Sequence, residues 1–418
     1  MANKWTFIVC ALAAFLFGRY STDRTETQAP KQQLTPLEEE LIFQFKPKLL
    51  HVGILSSPAN FANRKMLRKF HKKVSPKNVH YEFVFGNAFA GSMPTRRLQE
   101  RVAREIQREK DVVFVDAREK LPHVGKVTEK SSAWWQSAPK RVNARFYCKT
   151  DDDSLIHHER LRDVLLAAEE QAATPYIIAS YIRWRGWIPE YHFQACGGGW
   201  GGPSDAWKQM LDPKQKCERA EGPFPQGTGT LTCMSSALAQ DLSKNPFFAD
   251  WHTVAKVRND YGESCKTPAE CAAQPFSTHM WHHEDAGISY NIWKTVNRFQ
   301  RNTSIVHFPE KGWFWPWFSE KLAEPKMSSR ALIVHKVKPN TVERVKGAWD
   351  IRAPHPKYKI DCSQTCAQWG WKNARKPCDE EPALPASFQW RGFSQRWNGS
   401  LCSVDIASLF RCCFLTAE

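Results

Sequence analysis

Arg145-Phe146-Tyr147-Cys148-Lys149-Thr150-Asp151-Asp152-Asp153 is the stretch on which the fold of this chain turns. Phe146 and Tyr147 favour an extended strand, and that strand ends on three carboxylates. The next residues, Ser154 to Gln171, predict a helix. Ser154 is a ready N-cap, and Leu155, Ile156, Leu161, Val164 and Leu165 fall near helical spacing. Strand, acidic turn and helix make an α/β unit, in which ligands bind beyond the carboxyl ends of the strands. Three adjacent carboxylates repel one another, and holding them together at a strand end is costly unless a cation neutralises them. Their hard oxygens suit Mg²⁺ or Mn²⁺, with a substrate's phosphates completing the shell. Two readings compete: a divalent metal held between Asp residues and a diphosphate, or a solvated acidic turn that caps the helix.

Upstream, Leu49 to Leu55 is a near-continuous apolar run, the pattern of a buried strand. The turn Ser56 to Asn63 then leads into a basic helix carrying Arg64, Lys65, Arg68, Lys69, Lys72 and Lys73. Arg64 and Arg68 share one helix face. As a pair they suit a diphosphate; the alternative is an ordinary solvated basic face. Tyr81 to Gly86 predicts a second strand, Thr95 to Lys110 an amphipathic helix, and Val112 to Val115 a third strand ending at Asp116. Ser131 to Gln136 predicts a helix packed on the sheet. Strands alternating with helices give an α/β domain with a largely parallel sheet.

Downstream, Tyr176 to Ser180 reads as a further strand. An insert from Trp184 to Lys216, with the run Gly197-Gly198-Gly199-Trp200-Gly201-Gly202, reads as a lid or an irregular loop. Phe224 to Thr230 predicts a glycine turn feeding a short strand and a helix capped near Ser235. His282-His283-Glu284-Asp285-Ala286-Gly287 opens a helix through Trp293, and a carboxylate at a helix N-terminus stays ionised. That pair fits either a catalytic base or simple helix capping. Ala331 to His335 is an apolar strand ending on a potential metal ligand.

The chain has 418 residues, 24% charged and 42% hydrophobic, enough for one large catalytic domain plus attachments. A net charge of +16 suits anionic partners. No zinc-finger spacing or RNA-binding signature accompanies it, which argues against nucleic acid. The 18 Trp fit a carbohydrate site or a core. Of 13 Cys, Cys10 lies in the N-terminal apolar run, and the rest point to disulfides and an oxidising compartment, with the pairing open. Trp5 to Gly18 is apolar but short of the roughly 20 residues of a full span. It reads as an uncleaved signal anchor in preference to a cleaved signal peptide. The expected organisation is residues 1–20 as cytosolic tip and anchor, 21–48 as stem, 49–345 as catalytic domain, and 346–418 as a Cys-rich appendage stapled by disulfides. Asn302-Thr303-Ser304 and Asn398-Gly399-Ser400 are glycosylation sequons.

Several stretches, in order, resemble the β-1,3-galactosyltransferase family, which includes β-1,3-N-acetylglucosaminyltransferases and fringe-type enzymes. Arg64-Lys65-Met66-Leu67-Arg68 resembles its RRxAIR segment, Phe83-Val84-Phe85-Gly86 its strand ending in Gly, and Glu105 to Asp116 its E…DIL…DF stretch. Lys149-Thr150-Asp151-Asp152-Asp153 matches its KTDDD. Phe224 to Gly229 is similar to its YPxYxxGxGY, Glu284-Asp285-Ala286-Gly287 to its EDVxxG, and His335 to Pro339 to its late SHxxxP segment. The likeness covers residues 49–345. Departures are Phe70-His71 in place of TW, Thr230 in place of an aromatic, and Ala286 in place of Val.

The resemblance implies a GT-A type nucleotide-sugar transferase fold, Mn²⁺ dependence, and inverting β-1,3 transfer. The donor would be UDP-galactose, the leading choice, or UDP-N-acetylglucosamine, and the acceptor a glycan or glycoprotein. It further implies a type II Golgi membrane protein with a lumenal catalytic domain. Asp153, Asp151 and His335 would hold the metal; Asp151 and Asp152 would support the ribose or the metal's outer shell. Arg64, Arg68, Gly227 and Gly229 would attend the nucleotide. Asp285 would be the general base, with Glu284 its rival, and Trp184, Trp187 and Trp200 would meet the acceptor. The alternatives are a non-catalytic lumenal glycan-binding or chaperone-like relative, and a metal-dependent hydrolase of sugar nucleotides.

Overall fold

The computed structural model describes residues 47–89, 95–119, 127–188, 193–196, 221–253, 284–308, 314–315, 331–349, 357–362 and 409–417. The expected anchor and all but the last two residues of the expected stem (residues 21–48), most of the Gly/Trp insert and Asn398 lie outside these residues; Lys48 already belongs to the first strand. Among the described residues, no helix is long and apolar enough to cross a membrane.

A mixed sheet forms the centre. Its first half is parallel: β1 (Lys48–Leu55) pairs with β2 (Val79–Phe89) and β4 (Ala144–Asp151), and β2 pairs with β3 (Val112–Glu119). The second half brings in antiparallel neighbours. β8 (Glu221–Ser235) runs between β4 and β6 (Tyr176–Ile188), antiparallel to both, and β7 (Phe193–Cys196) hangs on β6. β9 (Thr303–His307) returns parallel to β6. The predicted glycine turn at Phe224–Thr230 is part of one long strand, because β6 pairs with Phe224–Gly227 as well as with Thr232–Met234.

Helices cover both faces. On one side α1 (Phe61–Val74) and α4 (His158–Gln171) bring Leu67, Phe70, Leu161 and Val164 into a core with Leu50, Val52 and Ile54 of β1. On the other, α3 (Thr128–Arg141), α5 (Ser236–Lys244) and α6 (Glu284–Phe299) pack Trp134, Trp135, Leu238 and Trp293. Between α1 and α3 in sequence, α2 (Arg96–Glu109) begins at its Thr95 cap, as its sequence predicts. Every residue from Leu49 to Leu55 is buried, which its apolar run anticipated. The described tryptophans Trp134, Trp135, Trp251, Trp293 and Trp349 are all core residues.

Two expectations are corrected. Leu155 and Ile156 are not helical. They form a short strand, β5, antiparallel to β11 (Ile333–Val334), which also pairs with β10 (Phe314–Trp315). The helix starts only at His158, capped by His157. Nor are the described parts of 346–418 an appendage: after α7 (Val342–Ala348), β12 (Tyr358–Asp361) and β13 (Phe410–Ala417) extend the main sheet. β13 lies parallel to β9 and antiparallel to β12, so the strand order is β12-β13-β9-β6-β8-β4-β1-β2-β3. Alternating apolar residues drive this insertion: Phe410 and Cys412 face one core, Cys413 and Leu415 the other.

Candidate metal centre and acid pair

The site forms where β4 runs out. Asp151 is its last residue, and the chain then turns so that the Ser154 amide donates to the Asp151 carbonyl. The β5–β11 pairing brings the segment after β11 alongside this turn, and the Val337 amide donates to the Asp153 carbonyl at 2.9 Å. His335 thereby lands on the acidic turn. Its Nε2 lies 3.2 Å from Asp153 Oδ1 and 3.9 Å from Asp151 Oδ2. Its other ring nitrogen, Nδ1, is 3.2 Å from the Thr230 hydroxyl, which steadies the ring.

One donor atom from each of Asp151, Asp153 and His335 falls within a 4.8 Å cluster. Asp153 Oδ1 is buried without a hydrogen-bond partner. An orphaned carboxylate oxygen facing an imidazole is costly as it stands and is relieved by a cation. Two carboxylates and one imidazole suit Mn²⁺ and neighbouring divalent ions, so these residues fit the metal that the sequence suggested.

Asp152 points the other way. It is buried and accepts from the Ser56 hydroxyl at 2.6 Å and from the Asn60 and Asn63 side-chain amides at 2.9 and 3.2 Å. Burial raises its pKa against these three donors. It anchors the loop after β1, and its oxygens are occupied there, which corrects the ribose role the sequence suggested. Asp152 and Asp153 both lie in the turn that follows β4, and this turn sends the neighbouring carboxylates to different structures.

Arg64 and Arg68 are likewise corrected. Arg64 is fully buried and all five of its N–H donors are engaged. Nε and Nη2 reach Glu105 at 2.9 and 2.7 Å, Nη1 reaches the Ser56 hydroxyl and the Ser57 carbonyl, and Nη2 also reaches the Pro58 carbonyl. Arg68 pairs with Asp111 through two bonds and with Glu105 through one. Neither guanidinium is presented to a diphosphate. Arg64 fixes the loop whose Ser56 holds Asp152, Arg68 shares its Glu105 partner, and Lys130 adds a 2.6 Å bond to the Ser56 carbonyl.

On the opposite side of the metal cluster, α6 begins with Glu284 and Asp285. Glu284 is nearly buried. It accepts a short hydrogen bond from the Ser131 hydroxyl and an ion pair from Lys149 at 2.8 Å. Burial raises its pKa, Lys149 opposes, and Asp151 and Asp285 push it up further. Asp285 is half-buried; its Oδ1 accepts from the Ala286 amide at 2.8 Å, and its Oδ2 has no hydrogen-bond partner among the described residues. Of the two acids, Asp285 keeps an oxygen available for a substrate proton.

Gly229 sits beside this pair: a Cβ there would lie 3.4 Å from both Glu284 Oε2 and Lys149 Nζ. Gly227 is packed away from the acids, where a Cβ would come within 2.6 Å of the Thr232 hydroxyl, and its amide donates to Ser289. It fixes α6 to β8 and has no direct place at the cluster. Trp184 and Trp187 lie on β6, and Trp200 lies outside the described residues. Sequence reasoning gave no role to Lys149, Ser131, Ser56, Asn60 or Asn63. For Lys149 the signal was present, since it stands two residues before Asp151 and hence on the same side of β4.

A second donor cluster, His51, His80 and Glu82, lies within the sheet. There Glu82 already accepts from the Trp134 indole and from Arg141 through two bonds. A cation would compete with a guanidinium, so that cluster is a buried ion-pair network.

No family model matches the sequence, and no curated protein does. Among solved structures, the bifunctional glycosyltransferase WbbM in its apo form is similar at a TM-score of 0.35 and 13% identity, over 74% of this chain and 50% of that one. The chain thus spans half the length of that protein, and a likeness this slight bears on neither fold nor function.

Proposed function

We propose that the chain is an inverting glycosyltransferase that moves a hexosyl group, with galactose the leading choice, from a UDP-sugar to a glycan hydroxyl in a β-1,3 linkage. The observation that carries this reading is the meeting of the Asp151–Asp153–His335 cluster with the Glu284–Asp285 pair across one buried lysine. The ordered motif resemblance from residue 64 to residue 339 supports it. Asp151, Asp153 and His335 would hold Mn²⁺, which when bound supplies positive charge to the departing diphosphate. Asp285 Oδ2 takes the proton of the acceptor hydroxyl as that oxygen attacks the anomeric carbon from the face opposite UDP. One displacement inverts the centre and needs no covalent nucleophile. Glu284, held by Ser131 and Lys149, orients the first turn of the helix that carries the base.

The expected setting is the lumen of the Golgi, in a type II membrane arrangement. Its support is the pair of disulfides Cys148–Cys233 and Cys362–Cys413, which need an oxidising compartment. The test is titration of UDP into the full-length protein with Mn²⁺ and with EDTA, followed by transfer assays with UDP-galactose and UDP-N-acetylglucosamine. Metal-dependent UDP binding is expected. Asp285→Asn is expected to abolish transfer while sparing Mn²⁺ and UDP binding. No UDP binding by the folded protein in either condition returns the chain to the non-catalytic reading.

A further inference from the structure

Lys149 is a charged residue the proposed reaction does not use, and it sits at the centre of the site. Its ammonium is almost wholly buried, with the side chain 2% exposed. An ammonium has three donors and no acceptor. All three find partners: Asp151 Oδ1 at 3.0 Å, the Gly229 carbonyl at 2.8 Å and Glu284 Oε2 at 2.8 Å. These come from the end of β4, the middle of β8 and the start of α6. The lysine is therefore a fixed positive charge. That charge touches one carboxylate of the metal cluster through Asp151, and it touches the acid pair through Glu284.

We propose that Lys149 is a positioning residue that ties the acid pair of α6 to the metal carboxylates and, by its charge, holds down the affinity of the Asp151–Asp153–His335 cluster for a free divalent cation. A positive charge bonded to Asp151 repels a dication arriving on that carboxylate's other oxygen. The cluster then retains a cation firmly only when an anionic diphosphate arrives to share it, which couples the two ligands. This inference rests on the metal reading above, but its test measures metal binding alone. It does not depend on any transfer reaction.

The experiment is titration of Mn²⁺, without nucleotide, into the full-length protein and two variants, followed by electron paramagnetic resonance of the free ion. Glu284→Gln leaves Lys149 with Asp151 as its one carboxylate partner and is expected to weaken Mn²⁺ binding severalfold. Lys149→Met combined with Glu284→Gln removes the nearer positive charge and the farther negative one together, so no buried charge is stranded. It is expected to bind Mn²⁺ tighter, on the order of threefold to tenfold. Circular dichroism confirms that each variant is folded. A purely structural lysine would shift both variants to weaker binding, so a double variant that binds no tighter than wild type overturns the proposal. Absence of Mn²⁺ binding at millimolar concentration by wild type and double variant alike overturns the metal reading itself, a distinct outcome.

Discussion

At the residue scale, the acidic triplet shows how one short run serves two structures. Asp151 and Asp153 turn toward His335, while Asp152 turns back to grip the loop after β1. The triplet was legible as a candidate metal site because like charges so close together call for neutralisation. The division of labour was not, because Ser56, Asn60 and Asn63 lie far upstream of it. His335→Ala and Asp153→Asn are each expected to weaken Mn²⁺ binding by at least tenfold, read by the same titration, by analogy with the cost of losing groups at metal sites. Arg64 makes the opposite point. Its basic helix suggested an anion grip, yet Glu105, which satisfies it, waits on α2. Arg64→Met strands part of that buried carboxylate's partner set and is expected to cost about 3–5 kcal/mol of stability. Chemical denaturation checks this.

At the scale of elements, β1 and α3 meet where Gly53 faces Trp134. A Cβ on Gly53 would stand 2.2 Å from the indole ring, far inside contact distance. Gly53→Ala is expected to destabilise the protein by about 1–3 kcal/mol or more, since neither sheet nor buried indole can yield freely; the thermal midpoint reads this out. Most elements were readable: β1 from its apolar run, α2 from its amphipathic spacing and the start of α6 from its acidic residues. The exception at Ser154–His157 is instructive. Leu155 and Ile156 fit a helix locally, and only the distant Ile333–Val334 segment makes them a strand. That pairing also delivers His335, so the element the sequence concealed is the one that completes the cluster. Thr230, where the resemblance expects an aromatic, now has a role as the partner of the His335 ring.

At the scale of the whole molecule, buried histidines set its response to acid. Burial pushes His71 and His307 down to about 3, and burial with neighbouring His71 and His157 lowers His158 as well. A histidine whose folded pKa is depressed binds fewer protons folded than unfolded. Its contribution is complete above its unfolded pKa of about 6.5 and is lost as pH falls toward the folded value. Glu82, held well below the usual carboxylate range despite burial by His51, His80 and Arg141, adds to the loss at lower pH. Burial raises Asp152 and Glu284, which act in the other direction as pH falls through their raised values. Stability is therefore expected to fall as pH drops from 6.5 to 5, by up to about 1.4 kcal/mol per pH unit for each histidine at the steepest. Urea midpoints at a series of pH values test this; a flat profile contradicts it.

The position of β13 carries a consequence for how the protein is made. Its partner β9 ends at His307, yet β13 begins only at Phe410, and it slots between β9 and β12 with Cys413 bonded to Cys362. During synthesis, β9 emerges long before the strand that covers its edge. Until then it presents unpaired amides and carbonyls, the feature that recruits foreign strands. A nascent chain of this design has a window of vulnerability that closes only once Phe410–Ala417 has emerged, and shortening it before Phe410 leaves that window permanently open.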